Sequence, residues 1–224
     1  MLPFETARSQ KNEHWEFLDR FVRGRLVKDQ DVRLCFVGDS YVNGTSDPEC
    51  LGWAGRIAVA ARRKGYNLTY YNLGVRRETS TDIAKRWQQE VQPRFQSGCT
   101  PFVVFSFGVN DTTLEDGYTR VSAAQSVENV RVILHIAKQR YAVAMIGPPP
   151  NADVDQNIRI RQLSQQFAAV AKTEGVAFLS VFDWLAEDTV WMREVRAGDG
   201  AHPGAAGYAR LATLVEAWQN WWFH

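Results

Sequence analysis

The chain has 224 residues, with 26 Lys and Arg against 25 Asp and Glu, so its formal net charge is only +1. This length suits one α/β domain that buries most of the surface its unfolded form exposes. Because no basic excess exists, neither nucleic acid nor an anionic membrane surface is an expected partner. No apolar run reaches the roughly 18 to 20 residues of a membrane-spanning helix, so membrane insertion is not expected either.

The cysteines and the start of the chain bear on the cellular compartment. Cys35, Cys50 and Cys99 are widely spaced and form no CxxC pair, which argues against a disulfide framework and against a structural zinc site. The first residues are partly acidic and contain no apolar core of a secretory signal. Both features predict free thiols and a cytoplasmic location.

The N-terminal segment is polar and aromatic. Trp15, Leu18, Phe21 and Val22 recur at three- and four-residue steps, which is the spacing of one face of a helix. We therefore predict that residues 1–30 form a helical extension packed on a single domain that spans residues 31–224.

From residue 31 onwards, short apolar runs alternate with amphipathic stretches. In chain order the predicted strands and helices are Val32–Val37 (strand), Trp53–Lys64 (helix), Leu68–Leu73 (strand), Asp82–Phe95 (helix), Phe102–Phe107 (strand), Val121–Arg140 (helix), Ala142–Ile146 (strand), Asp155–Thr173 (helix), Val176–Val181 (strand) and a last helix from about Pro203. This alternation predicts right-handed βαβ units and a parallel sheet covered on both faces. The predicted fold class is α/β, a flavodoxin-like three-layer α/β/α sandwich whose five strands have the order 2-1-3-4-5.

A sheet of this kind places its ligands at the carboxyl ends of the strands. Four glycine-containing segments follow predicted strands there: Gly38-Asp39-Ser40, Gly74, Gly108–Asp111 and Gly147–Pro150. We expect the chemistry at this edge.

One histidine has the setting of a catalytic base. His202 lies in a loop before the last helix, within Asp199-Gly200-Ala201-His202-Pro203, and the carboxylate of Asp199 can fold back onto one ring nitrogen. The other nitrogen is then free to activate a serine hydroxyl, and Ser40 is the candidate nucleophile. A lone serine at a strand end is usually a turn residue. The hypothesis depends on the ordered set of Ser40, Asn110, Asp199 and His202.

Four segments resemble the motif blocks of the SGNH hydrolases, the GDSL-like lipases and esterases. They are FVGDSYVNG, YYNLGVRRETS, FSFGVNDT and GDGAHPG, and the resemblance spans residues 32 to 220. It implies that Ser40, His202 and Asp199 form a catalytic triad. It also implies an oxyanion hole made by the backbone N–H groups of Ser40 and Gly74 and by the side-chain amide of Asn110.

The same resemblance implies hydrolysis of a small-molecule acyl ester through an acyl-enzyme, without a metal or an organic cofactor. It leaves the subtype open between acetylesterase, thioesterase and lysophospholipase, and the number of subunits is open as well. Two departures stand out. Tyr41 replaces the Leu of the GDSL tag, which we expect to matter little because that side chain is not catalytic. Arg76 and Arg77 replace small residues, either as a solvated pair or as contacts to an anionic part of the substrate.

Loops at the strand ends are expected to carry substrate recognition. The predicted rim consists of Thr45–Leu51, Asp111–Tyr118, Pro148–Asp153 and Val190–Val195. Within it, Tyr118, Trp191 and Met192 are candidates for an acyl pocket, although side chains of this kind are more often core residues. The C-terminal Trp221, Trp222 and Phe223 look exposed and hint at docking on the chain itself or on a partner.

Two other functions compete with ester hydrolysis. A nucleotide or phosphate binder on this fold would need a GxGxxG or GxxxxGK[ST] loop after the first strand, and the sequence has neither. A non-catalytic carbohydrate- or ligand-binding module would keep the fold without the chemistry. The presence of all the candidate catalytic residues favours an enzyme.

Overall fold

The structure, a computed structural model, describes residues 28–224, so the predicted N-terminal extension lies almost wholly outside the described residues. The strands are β1 (Val32–Gly38), β2 (Leu68–Gly74), β3 (Thr100–Ser106), β4 (Leu114–Glu115), β5 (Tyr118–Thr119), β6 (Ala142–Ile146) and β7 (Ala177–Leu179). The helices are α1 (Ser40–Asn43), α2 (Gly52–Arg63), α3 (Ser80–Val91), α4 (Ala123–Ala137), α5 (Val154–Glu174), α6 (Phe182–Glu187), α7 (Thr189–Ala197) and α8 (Ala205–Ala217). Short 3₁₀ turns follow α3 (Gln92–Arg94) and β3 (Asn110–Thr112).

The central sheet has five parallel strands in the order β2-β1-β3-β6-β7, which confirms the predicted α/β fold and strand order. Its register brings three strand ends level with one another, because Gly38 pairs with both Gly74 and Ser106. The segments that follow β1, β2 and β3 therefore leave the sheet side by side, and β4 and β5 form a small hairpin after β3.

Successive residues of β1 point to opposite faces of the sheet, and this alternation builds two apolar layers. Leu34 and Phe36 belong to the layer that contains residues of α2 and α8. Cys35 and Val37 belong to the layer that contains residues of α3, α4 and α5. All four side chains are fully buried, so β1 is covered on both faces, as a central parallel strand should be.

Besides α1, four helices begin at side-chain caps that the sequence specifies. Thr79 and Asp82 form a reciprocal capping box at the start of α3. Ser122, Asp153 and Asp188 accept backbone N–H groups at the starts of α4, α5 and α7. Each cap satisfies N–H groups that have no partner inside the helix, which fixes where the helix begins.

The prediction of a rim loop at Val190–Val195 is wrong, because these residues lie within α7. Asp188 caps the helix, and Trp191, Met192 and Val195 occupy its buried face at helical spacing. The apolar face of this short helix packs into the core, so the segment supplies no recognition loop.

The C-terminal tail is not exposed, contrary to the expectation from its sequence. Trp221 and Phe223 are buried, and the Phe223 ring lies 5.7 Å from the Phe102 ring and 5.2 Å from the Tyr66 ring, measured between centroids. Trp222 is partly buried against Phe102. The tail therefore packs on the core of the chain itself, which was one of the two alternatives.

Residues 28–224 contain no helix that combines the length and the apolar character needed to cross a membrane. In the same residues, all three cysteines are unpaired, and Cys35 is buried.

Gly38→Ala is expected to destabilise the fold strongly. A Cβ at Gly38 would lie 1.9 Å from the carbonyl oxygen of Ser106 and 2.6 Å from a Val42 methyl, so the strand ends would have to separate. We expect a loss of at least about 3 kcal/mol in the free energy of unfolding, measured by urea denaturation, which is the upper end of overpacking effects. Gly55→Ala is the matched control, because a Cβ there comes no closer than 3.3 Å to another atom, in the Leu51 side chain, and its helix gains propensity. Equal stability of the two variants would contradict the close approach at Gly38.

Candidate active site

Ser40 is presented by the short helix α1, directly after the central strand β1. Asp39 is the N-cap residue, and its carboxylate accepts the Tyr41 N–H at 3.0 Å. Ser40 is the first helical residue, so its own N–H has no acceptor inside the helix. Gly44 ends the helix in a left-handed conformation with φ of 84°. This tight turn holds a buried serine hydroxyl at the carboxyl edge of the sheet, beside an N–H that has no acceptor among residues 28–224.

The structure brings Ser40, His202 and Asp199 into one hydrogen-bonded chain, although 162 positions separate Ser40 from His202. His202 Nε2 lies 2.7 Å from Ser40 Oγ, and His202 Nδ1 lies 2.7 Å from Asp199 Oδ2. The other Asp199 oxygen accepts the backbone N–H groups of Ala201 and His202 at 2.9 and 2.8 Å. Both ring nitrogens of the imidazole are thus occupied by the groups that the sequence predicted.

These contacts keep Asp199 ionised. Partial burial by itself would raise the pKa of this carboxyl, but hydrogen bonds from the backbone and ring of His202 and from the Ala201 N–H lower the pKa to about 2. A carboxylate that is charged at neutral pH orients the imidazole and stabilises it when it gains a proton.

Asn110 lies in the 3₁₀ turn that follows β3. Its Nδ2 donates to the carbonyl oxygen of Glu78 at 2.9 Å, which fixes the direction of the amide. An amide nitrogen carries two hydrogens, and in residues 28–224 the second has no acceptor. The loop after β2 therefore holds Asn110 with one donor to spare.

Gly74 does not offer the free N–H that the sequence predicted. This N–H donates to the side-chain oxygen of Asn72 at 3.0 Å. A Cβ at Gly74 would lie 2.2 Å from the Asn43 nitrogen and 2.7 Å from the Asp39 carbonyl oxygen. The glycine is needed for the close approach of β2 to α1, and its predicted role as an oxyanion donor is corrected.

Arg77 has the free N–H instead. Its backbone is left-handed with φ of +67°, an uncommon conformation for a residue with a side chain. Its N–H has no acceptor among the described residues, and its carbonyl oxygen accepts Arg120 Nη1 at 2.9 Å. The next residue, Glu78, is the one whose carbonyl anchors Asn110. The only sequence signal was that arginines stand where the resembling family has small residues.

Sequence reasoning also missed Arg86, whose guanidinium group connects several segments of the site. One guanidinium nitrogen donates to the carbonyl oxygens of Gly38 and Leu73, at 3.1 and 2.9 Å. The other nitrogens pair with the carboxylates of Glu78 and Glu90, at 2.6 and 2.9 Å. Arg86 thereby links the ends of β1 and β2 to the loop that carries Arg77.

Residues 36–210 match the model of the GDSL-like lipase/acylhydrolase family. The chain belongs to this family. The resemblance seen in the four motif blocks is thereby confirmed, and the chain is an ester hydrolase by family. No curated protein matches the chain.

Solved structures share the fold of this acylhydrolase. A lipase/acylhydrolase from Enterococcus faecalis has a TM-score of 0.68 at 23% identity, covering 82% of this chain and 93% of its own. An acetylxylan esterase from Geobacillus stearothermophilus has a TM-score of 0.65 at 16% identity, covering 84% and 94%. An alpha/beta hydrolase from the metagenome of Lake Arreo, Spain, has a TM-score of 0.67 at 20% identity, also covering 84% and 94%. At these identities the likeness shows a common fold.

The predicted substrate-contacting residues of the acylhydrolase fall into two groups. The side chains of Arg76, Arg77 and Tyr118 are exposed, and neither arginine makes an ion pair with a described residue. Trp191 and Met192 are buried, and Trp191 Nε1 donates to the carbonyl oxygen of Pro150 at 3.1 Å. Trp191 and Met192 are therefore core residues, the more common alternative for side chains of this kind, and their candidate place in an acyl pocket is corrected.

Within residues 28–224, no cluster of three or more His, Cys, Asp or Glu side chains has the arrangement of a metal site.

Proposed function

We propose that this chain hydrolyses carboxylic esters through an acyl-enzyme formed on Ser40. The continuous hydrogen-bonded chain from Ser40 Oγ through His202 to Asp199, with 2.7 Å at both imidazole contacts, is the observation that carries the proposal. A hydroxyl, a neutral imidazole and an ionised carboxylate in this order are the parts of a serine nucleophile.

In the acylation step, His202 Nε2 takes the proton of Ser40 as Oγ attacks the ester carbonyl carbon. The tetrahedral intermediate collapses as His202 gives that proton to the departing alcohol oxygen, and the acyl group stays on Ser40. Asp199 holds His202 Nδ1–H throughout and stabilises the imidazolium. Water then repeats the sequence on the acyl-enzyme and releases the carboxylic acid, so that every proton taken by His202 is returned.

The negative oxygen of the intermediate needs preorganised donors. Two are the Ser40 N–H, free at the start of α1, and the second amide hydrogen of Asn110. The third, in place of Gly74, is the N–H of Arg77, the residue before Glu78, whose carbonyl oxygen anchors Asn110. The side chains of Arg76 and Arg77 then lie at the mouth of the site, where an anionic group of the substrate would meet them.

A chromogenic assay tests the proposal. Purified chain is expected to hydrolyse p-nitrophenyl acetate and p-nitrophenyl butyrate and to be inactivated by a fluorophosphonate, because both reagents need an activated serine. If the chain shows no turnover and no inactivation, the non-catalytic binding module remains as the function of this fold.

Activity is expected to fall on the acid side. A protonated imidazole cannot accept the Ser40 proton, so kcat/KM should decline by about tenfold per pH unit on the acid side of the profile, where His202 is protonated. Asp199, with a pKa of about 2, stays ionised throughout and adds no second limb. A profile of p-nitrophenyl acetate hydrolysis from pH 4.5 to 9 measures this.

Asp39 is the necessary control for that profile. Burial raises the pKa of its carboxyl to about 7, against the lowering effect of the Tyr41 N–H, so Asp39 titrates near neutral pH next to the nucleophile. Asp39→Asn should keep the midpoint of the acid limb if His202 causes it. A limb that disappears in Asp39→Asn, or a flat wild-type profile, would contradict a histidine base.

A further inference from the structure

Tyr41 directly follows the nucleophile Ser40, and its side chain is hydrogen-bonded to Ala201, which directly precedes the base His202. Its hydroxyl donates to the carbonyl oxygen of Ala201 at 2.8 Å. The side chain is buried, with 2% of its surface exposed, and burial raises the pKa of the phenol, so the hydroxyl stays a donor.

The loop that carries His202 has few other attachments. Gly200 accepts the Ala152 N–H at 2.8 Å and donates to the Val195 carbonyl oxygen at 3.1 Å. The N–H groups of Ala201 and His202 turn inward to Asp199. Among residues 28–224, the Tyr41 hydroxyl makes the only hydrogen bond between α1 and this loop other than the Ser40–His202 bond itself.

Tyr41 is itself held firmly on both sides. Its N–H donates to the N-cap carboxylate of Asp39 at 3.0 Å. Its ring stacks on Trp191, with 6.3 Å between centroids and 14° between planes, and Trp191 is anchored to the Pro150 carbonyl. The centroid of the same ring lies 5.0 Å from that of the His202 imidazole. The Tyr41 side chain is thus a rigid link between α1, which carries Ser40, and the loop that carries His202.

We propose that Tyr41 is a positioning residue that sets the distance between Ser40 Oγ and His202 Nε2. This inference rests on the proposed function. The internal bonds of the loop orient His202 towards Asp199, but they do not fix the loop relative to α1. The Tyr41–Ala201 bond does, and a leucine at position 41, as in the tag that this chain departs from, has no donor for that carbonyl.

Tyr41→Phe tests the role of the hydroxyl while the ring stack is kept. Loss of one buried hydrogen bond from the catalytic alignment should lower kcat for p-nitrophenyl acetate by about 3- to 10-fold, with KM within twofold of the wild type. The second-order rate of inactivation by a fluorophosphonate should fall by the same factor, because it reports the reactivity of Ser40 directly. Tyr41→Leu, which also removes the ring, should lose at least as much.

Tyr66→Phe is the matched control. The buried Tyr66 hydroxyl also donates to a main-chain oxygen, that of His224 at 2.9 Å, but at the C-terminal tail. It should lose a similar amount of thermal stability and keep kcat and the inactivation rate.

Wild-type kcat and inactivation rate in Tyr41→Phe, or equal losses in Tyr66→Phe, would overturn the positioning role. Ser40→Ala separates this result from the proposed function. If Ser40→Ala is inactive and Tyr41→Phe is unaffected, only the role of Tyr41 fails. If Ser40→Ala is active, the proposed nucleophile fails as well.

Discussion

Ser40→Ala is expected to lower kcat for p-nitrophenyl acetate by about 10⁴- to 10⁶-fold. The hydroxyl is the attacking group, and the members of a serine triad act as a unit, so removing one costs nearly as much as removing all. Ser40 Oγ bonds only to His202 among the described residues, and the helix cap at Asp39 does not involve it. The variant should therefore fold normally, with a melting temperature within a few degrees of the wild type. Steady-state kinetics and thermal melting measure both quantities.

A matched serine separates loss of the nucleophile from loss of any buried hydroxyl. Ser164 on α5 is equally buried, and its hydroxyl has no hydrogen-bond partner within the described part of the chain. Ser164→Ala should keep kcat within twofold. A Ser40→Ala rate near that of the wild type would move the nucleophile to another residue.

Asn110→Ala is expected to lower kcat by about 10²- to 10³-fold, or about 3 to 4 kcal/mol of transition-state stabilisation, the usual cost of one oxyanion donor. The loss should appear in kcat with little change in KM, because the charge on the oxygen develops only after substrate is bound. Kinetics with p-nitrophenyl acetate and p-nitrophenyl butyrate measure the split.

The control must also lose an amide that anchors a loop, since Asn110 holds the Glu78 carbonyl. Asn157 makes the same kind of bond, from Nδ2 to the Asn151 carbonyl oxygen at 2.8 Å, in the segment after β6. Asn157→Ala should destabilise the chain without a loss of kcat beyond a few fold. If kcat falls by less than tenfold in Asn110→Ala, or falls equally in Asn157→Ala, Asn110 is excluded as an oxyanion donor.

The sheet could be predicted from the sequence because its strands are short apolar runs bounded by glycine and proline. The fourth strand, Ala142–Ile146, was predicted with its observed bounds. The small helices α6 and α7 could not be predicted in the same way. Asp188 ends α6 and caps α7, and the two helices have only 6 and 9 residues, so their apolar residues span too few turns for a repeat to stand out in the sequence. Burial of Trp191 depends on contacts with distant residues, which no local pattern records.

At the site, residue type predicted what each side chain offers but not whether a backbone group is free. Ser40, Asp199 and His202 are side-chain groups, and the structure brings them together as predicted. Gly74 was selected for its glycine, yet the Asn72 side chain occupies its N–H. Arg77 has a left-handed backbone, which its residue type gives no reason to predict. Backbone donors of this kind are decided by the course of the chain, which the sequence specifies only through the whole fold.

Mapping the site of covalent labelling tests the nucleophile most directly. The chain is treated with a fluorophosphonate and its intact mass is measured. It is then digested, and the modified peptide is sequenced by mass spectrometry. One adduct per chain is expected, on Ser40, with the reaction slowed at least a hundredfold in His202→Ala because the imidazole activates the hydroxyl. An adduct on any other residue, or ester hydrolysis that continues after Ser40 is fully modified, would contradict Ser40 as the nucleophile.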